Sequence, residues 1–228
     1  MPEKSPLPRA PLTMHLVRHG RTEYNAAGRL QGWCDSPLTA DGLVGVQATA
    51  EHLRTLDLAG AYASPSGRTT ATASAILVHH RETALTCDPG LREFNFGDFE
   101  ARPEAELFDQ VDPAVLFRGI VEGTFPGLPG GEPVAVFLAR VAASFDAIVR
   151  AHPDGGSVLV VSHGVTLLAY LAMVAGELHN PVANASVTTV QVDPDGTTWI
   201  RSLGVDPSGV AVPAGALLPV EDPRATVA

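Results

Sequence analysis

Short, nearly unbroken apolar runs alternate along this chain with stretches whose apolar residues recur at helical spacing. Residues 13–17, TMHLV, form a mostly apolar run that stops at polar residues, as a central strand does. From Thr39 to about Leu56, the residues Leu43, Val46, Ala50 and Leu53 recur near helical spacing, with Thr39 available as N-cap. A second apolar run, GAYAS at 60–64, precedes an Ala- and Thr-rich segment from Ser66 to about Val78 that can be helical. Farther on, Val134, Phe137, Leu138, Val141, Phe145, Ile148 and Val149 share one helical stripe, while Arg140, Asp146 and Arg150 fall elsewhere. GSVLVVS at 156–162 has the β-branched continuity of a strand covered on both faces. A helix over about 164–175 follows, then alternating SVTTVQV and TTWIRSL, which can pair as an antiparallel edge. Strand and helix alternate, which predicts an α/β fold: a mostly parallel central sheet with helices on both faces, three layers in all.

Between Glu100 and Gly131 the periodicity dissolves into prolines, glycines and separated phenylalanines, Phe108, Phe117 and Phe125. This reads as an irregular lid insertion over about 100–131 with little beyond short helices, its phenylalanines serving as hydrophobic filler. Residues 1–12, broken by prolines, read as a flexible tail without the apolar core of a secretory signal. Residues 13–204 read as a single domain, and 205–228, rich in Gly, Pro, Ala and Val, as an irregular tail.

Composition narrows the function more than the fold. The 228 residues carry 15 Lys+Arg against 25 Asp+Glu, a formal charge of −10, which repels polyanions, so nucleic acid and acidic membrane surfaces are poor partners. A local cationic pocket for a small anion remains compatible with that charge. No stretch reaches the roughly 18 apolar residues of a membrane span, and a cytoplasmic protein is expected; a homodimer is compatible with the sequence. Cys34 and Cys87 match neither a disulfide framework nor a metal-ligand cluster and read as free thiols. No metal and no cofactor is expected, because no two histidines or cysteines fall at zinc-ligand spacings.

In doubly covered parallel sheets, ligands gather beyond the carboxyl ends of the strands. His19 and His163 stand at two such ends, and each is followed by a glycine, Gly20 and Gly164, where the backbone can turn closely beside a ligand. Two strand ends far apart in sequence can thereby face one crevice. The segments RHGRTEYN (18–25), GRLQGWCDSPLTADG (28–42), ASPSGRTTATA (63–73), LREFNFGDFEAR (91–102) and VSHG (161–164) occur in that order. Together, over about residues 13–190, they resemble the histidine phosphatase superfamily, also called phosphoglycerate mutase-like.

The resemblance implies that His19 is a nucleophile that takes a phosphoryl group and passes it to water. A histidine near its reference pKa of about 6.5 is largely neutral at pH 7, so its lone pair is available without an activating base. It further implies that Arg18, Arg68 and His163 complete a phosphate pocket, where clustered donors supply most of the catalysis. Asn25 matches a phosphate-side donor in the same motif. Arg21, Thr22, Gln31, Gly32 and Gly164 belong to the same motifs and count as candidate substrate contacts. Glu93 corresponds to the general acid for the leaving oxygen, with Phe94, Phe96 and Phe99 placed to desolvate it and nearby arginines acting the other way. The remaining histidines, His15, His79, His80, His152 and His179, lack a partner pattern and read as surface or packing residues.

Several positions depart from the family pattern. Arg21 stands where Glu or Gln is usual, so it either meets a second negative group on the substrate or faces solvent. Ala101 stands where glycine is common, and GGEP at 130–133 carries proline in place of serine. FNFGDFE after Glu93 is similar to the phosphatase branch, and the insertion offers Arg102 and Arg118 but no paired arginines for a second phosphate. The expectation is a phosphomonoesterase acting on a small phosphorylated molecule; a phosphoglycerate mutase and a non-catalytic phospho-ligand module are the alternatives.

Overall fold

The computed structural model describes residues 10–176 and 182–209. Six strands form one sheet in the order β3-β2-β4-β1-β5-β6. These are β1 (Leu12–Arg18), β2 (Leu58–Ala63), β3 (Leu85–Cys87), β4 (Gly156–Ser162), β5 (Val187–Val192) and β6 (Thr198–Val205). The first four run parallel, and β5 and β6 close one edge antiparallel, as the alternating pattern predicts. The helices are α1 (Glu23–Ala26), α2 (Ala40–Leu53), α3 (Gly67–Leu77), α4 (Glu104–Phe108), α5 (Pro113–Val121), α6 (Val134–Ala151) and α7 (Gly164–Ala175). The Thr39 hydroxyl caps α2 by accepting the Gly42 amide at 2.9 Å.

Burial on both faces explains the unbroken apolar run of β4. Val158 and Val160 pack with α5, α6 and α7, whereas Leu159 and Val161 pack with α2 and α3. The three-residue β3 is absent from the sequence reading. Its sequence, Leu-Thr-Cys, is too short to show a period, and it forms by pairing Leu85 to Cys87 with Ala61 to Ala63 at the sheet edge. The insertion carries two short helices, as expected, but its phenylalanines are more than filler: Phe108 and Phe117 line the pocket described below, while Phe125 packs against the core. Leu12, expected in the leading tail, already opens β1. Residues 1–9, nearly all of the trailing tail, and His179 lie outside the described residues. Among those described, no helix is long and apolar enough to cross a membrane.

Candidate active site

The parallel register of β1 and β4 sets Arg18 beside Ser162, so the next residue of each strand, His19 and His163, emerges at the same sheet end. The His19 amide donates to the Ser162 carbonyl at 3.0 Å, and the two imidazoles meet edge to face with centroids 5.3 Å apart. Gly20 is required here by packing against α2: a Cβ would stand 2.5 Å from Val46 Cγ2.

Hydrogen bonds define both imidazole tautomers. His19 Nδ1 lies 2.8 Å from the Gly20 carbonyl, which can only accept, so Nδ1 carries the proton and Nε2 the lone pair. Arg68 Nε donates to that Nε2 at 3.3 Å. Arg68 Nη2 donates to His163 Nδ1 at 2.9 Å, which leaves the His163 proton on Nε2, directed to Ser64 Oγ at 2.8 Å. His19 is 3% exposed and His163 fully buried. Burial, reinforced by the positive charges of Arg68 and Arg18, holds His19 well below the ordinary histidine range, and burial with Arg68, His19, Arg18 and Arg140 does the same to His163. Both rings are therefore neutral at pH 7.

Arg68 projects from the first turn of α3 and is 1% exposed. Besides the two histidines, its guanidinium donates to the carbonyls of Gln31, Gly32 and Cys34 and pairs with Asp35 at 2.9 Å. Every N–H is thus engaged within the protein. Arg18 differs: Nη1 donates to the Val182 carbonyl at 2.8 Å, while its buried Nε has no hydrogen-bond partner among the described residues.

Glu93, 6% exposed, sits at the N-terminus of α7. Its Oε1 accepts from the amides of Phe94 and Thr166, both at 3.0 Å, and lies 3.0 Å from the Thr166 hydroxyl, whereas Oε2 accepts only the Val165 amide at 2.9 Å. The Val165 and Thr166 amides are first-turn N–H groups of α7 that the helix cannot satisfy internally.

Arg18, His19, Asn25, Gln31, Glu93 and Gly164 meet in one pocket of about 270 Å³. Arg68 and His163 are outside the lining, Arg68 meeting His19 at Nε2. Thr22 is fully buried and donates through its hydroxyl to Gln31 Oε1 at 2.8 Å, and it caps α1 reciprocally with Asn25. Gly32 contributes backbone alone; a Cβ there would fall 2.2 Å from the Phe94 carbonyl oxygen. Arg21 is exposed and outside the lining, its backbone carbonyl accepting the Thr39 amide. Of the three phenylalanines near Glu93, only Phe96 reaches the pocket.

The sequence reading missed two buttresses. Glu100 accepts the amides of Gly32, Trp33, Cys34 and Phe96 at 2.9–3.2 Å. Arg140 donates to the carbonyls of Gly90, Arg92 and Glu93 and pairs with buried Glu132, which also accepts the Asn95 amide, so the GGEP segment braces the loop that carries Glu93. Neither was legible, because backbone contacts depend on where loops lie and not on any periodicity. It also missed Asn184, whose Nδ2 donates to the His19 carbonyl and to Asn25 Oδ1, and the lining residues Arg29 and Glu104. Cys34 and Cys87 are free; burial, with Glu100 beside it, pushes the Cys34 thiol up to about 12, so it is an unreactive thiol.

A neutral imidazole at a strand end, ringed by guanidinium groups and faced by a carboxylate, is a site for a small anion. The chain belongs to the histidine phosphatase superfamily (branch 1), whose family model matches residues 14–203. A relative from Proteus mirabilis (strain HI4320), named "Probable phosphoglycerate mutase GpmB", is 35% identical over 197 residues, covering 84% of this chain and 89% of its own. The crystal structure of phosphoglycerate mutase from Bacillus anthracis str. Sterne superimposes with a TM-score of 0.78 at 30% identity, covering 88% of this chain and 96% of that one. The alpha-ribazole phosphatase of Shigella flexneri superimposes with a TM-score of 0.73 at 25% identity over 88% of this chain and all of its own. Relatives of this chain thus carry both mutase and phosphatase names.

Proposed function

We propose that the protein is a phosphomonoesterase working through a phosphohistidine on His19. The observation that carries this reading is that one pocket is lined by His19, whose Nδ1 contact to Gly20 leaves the lone pair on Nε2, by Arg18, whose Nε has no hydrogen-bond partner among the described residues, and by Glu93. In the first half-reaction His19 Nε2 bonds to phosphorus, the P–O ester bond breaks, and Glu93 gives its proton to the departing oxygen, releasing an alcohol. Oε2, with one protein donor against three contacts at Oε1, is the oxygen with room for that proton. In the second, water attacks phosphorus, the N–P bond breaks, inorganic phosphate leaves, and Glu93 recovers a proton. Arg68, fully engaged at rest, exchanges its contact with His19 Nε2 for phosphoryl oxygens when that nitrogen is phosphorylated, and Arg18 Nε gains its missing acceptor.

Hydrolysis is favoured over mutase action by what the insertion places in the pocket. A mutase must hold a second phosphate, yet Arg102 is turned to Glu106 and the Phe99 ring, and Arg118 is exposed on α5; neither lines the pocket. The test is to follow isotopically labelled 3-phosphoglycerate and a panel of simple phosphate esters with purified protein. Free phosphate release, abolished in His19→Ala, is the expected result. Dominant relocation of phosphate between glycerate oxygens would make the protein a mutase.

A further inference from the structure

Beyond the phosphate end, the pocket has two chemical characters. One wall is apolar, formed by Leu30, Phe96, Phe108, Pro113, Phe117 and Leu168. Among the described residues the lining beyond the phosphate end also includes a carboxylate, Glu104, and a guanidinium, Arg29. Backbone pairing fixes both: the Leu30 amide donates to Arg102, the Ala101 amide to Leu30 and the Glu104 amide to Gly28, so 101–104 runs as a ladder beside 28–30. Glu104 therefore stands at the start of α4 with its backbone anchored.

These two charges are not equivalent. Arg29 is exposed, and one of its five N–H groups, on Nη1, donates to the Ala101 carbonyl at 2.7 Å, so solvent screens its charge. Glu104 is half-buried, and among the described residues its carboxylate has neither a hydrogen-bond nor an ion-pair partner, in contrast to Glu106 two residues on, which pairs with Arg102. Burial lowers the pKa of Arg18, and Glu104, after Glu93, acts on that guanidinium in the opposite direction. Once a phosphoryl group neutralises Arg18 and Arg68, two lining charges remain beyond it, the exposed guanidinium of Arg29 and the half-buried, unpartnered carboxylate of Glu104, and Glu104 is the less screened of the two. An anionic leaving group held against the apolar wall beside that carboxylate would lose its hydration next to a like charge, with only the solvent-screened guanidinium of Arg29 to offset it.

We infer that Glu104 is a specificity-determining residue that makes the pocket select phosphate esters of largely apolar, ring-sized alcohols ending in a cationic or neutral polar group, and reject those whose alcohol carries a second negative charge. This inference rests on the phosphatase reading for the identity of the phosphate end, but its test is separate from turnover.

The probes are three phosphonates that cannot be hydrolysed: benzylphosphonate, 4-carboxybenzylphosphonate and 4-(aminomethyl)benzylphosphonate. Their Kd values are measured by calorimetry on the full chain and on Glu104→Gln and Glu104→Lys. The wild-type protein is expected to bind the aminomethyl compound tightest and the carboxy compound at least tenfold more weakly. Glu104→Gln should compress that spread to under threefold, and Glu104→Lys should reverse the order. The same spread in all three proteins, tightest binding of the carboxy compound by the wild type, or no binding of any probe would overturn the inference. Phosphate release from phenyl phosphate, compared with His19→Ala, reports on the phosphatase reading alone, so the two can fail independently.

Discussion

Glu100 and Arg68 hold opposite edges of one peptide run: the Glu100 carboxylate takes the amides of Gly32, Trp33 and Cys34, and the Arg68 guanidinium donates to the carbonyls of Gln31, Gly32 and Cys34. The loop is thus a rigid spacer between a carboxylate and a cation that never touch. It fixes where Arg68 meets His19 Nε2 and His163 Nδ1, and it does so with charge-assisted bonds, which are about twice as strong as neutral ones.

Replacing Glu100 by Gln puts an amide N–H₂ against backbone N–H groups that need acceptors. Glu100→Gln should lower kcat/KM about a hundredfold through misplacement of Arg68, with a weaker affinity for inorganic phosphate as the companion signal in a titration. Activity within threefold of wild type would show that the loop holds its shape without this carboxylate.

Glu93→Gln removes the carboxyl proton that the proposed mechanism gives to the leaving oxygen while keeping an acceptor for the α7 amides. Alkyl phosphates, whose leaving oxygen must be protonated, should lose about 10²- to 10⁴-fold in kcat; 4-nitrophenyl phosphate, whose leaving group departs unprotonated, should lose far less. Equal losses on both esters in parallel steady-state assays would remove Glu93 from the acid role.

His15 lies in the central strand β1 with its Nε2 buried and unpartnered among the described residues. Burial first, then His52 and Arg201, lower its pKa from 6.5 to about 4. Between those values the unfolded chain holds a proton that the folded chain does not, so stability increases with pH across the window and is lost as pH falls from 6.5 toward 4. The cost at pH 5 is about 2 kcal/mol. Buried, neutral His19 and His163 act in the same direction below 6.5. His15→Val, which suits a covered strand, should unfold at a higher denaturant midpoint than wild type at pH 5, with a shallower fall in stability between pH 7 and pH 5. Parallel pH dependences in chemical denaturation would contradict this.

Ala101 has φ +62°, the left-handed region, and is locked there by its amide bond to Leu30 and its carbonyl bond from Arg29. Left-handed backbone costs an alanine about 1 kcal/mol or more, part of which glycine gives back in unfolded-chain entropy. Ala101→Gly should therefore gain about 0.5 kcal/mol, or about 1–2 °C in Tm, and Ala101→Val should lose about 2 kcal/mol, both read by thermal denaturation. What reads in the sequence as a small departure from glycine is in the fold a strained position beside the Glu104 ladder.

Residue order alone determined the strand and helix sequence wherever burial imposes a period. The stripe of α6 and the two-sided run of β4 are legible because each residue's fate depends on its near neighbours. His19 and His163 were legible as strand-end residues for the same reason, and their meeting follows from parallel pairing. Only the tertiary structure decided what surrounds them: that Arg68 meets His19 at Nε2 with every donor engaged, that Arg21 is exposed outside the pocket, that Phe108 and Phe117 line it, and that Glu100, Glu132 and Arg140 brace its loops. The loop contacts of Arg68, Glu100, Glu132 and Arg140 join residues mostly 34–68 positions apart through backbone amides and carbonyls, which nearly every residue type possesses, so side-chain identity carries no trace of which ones will be used.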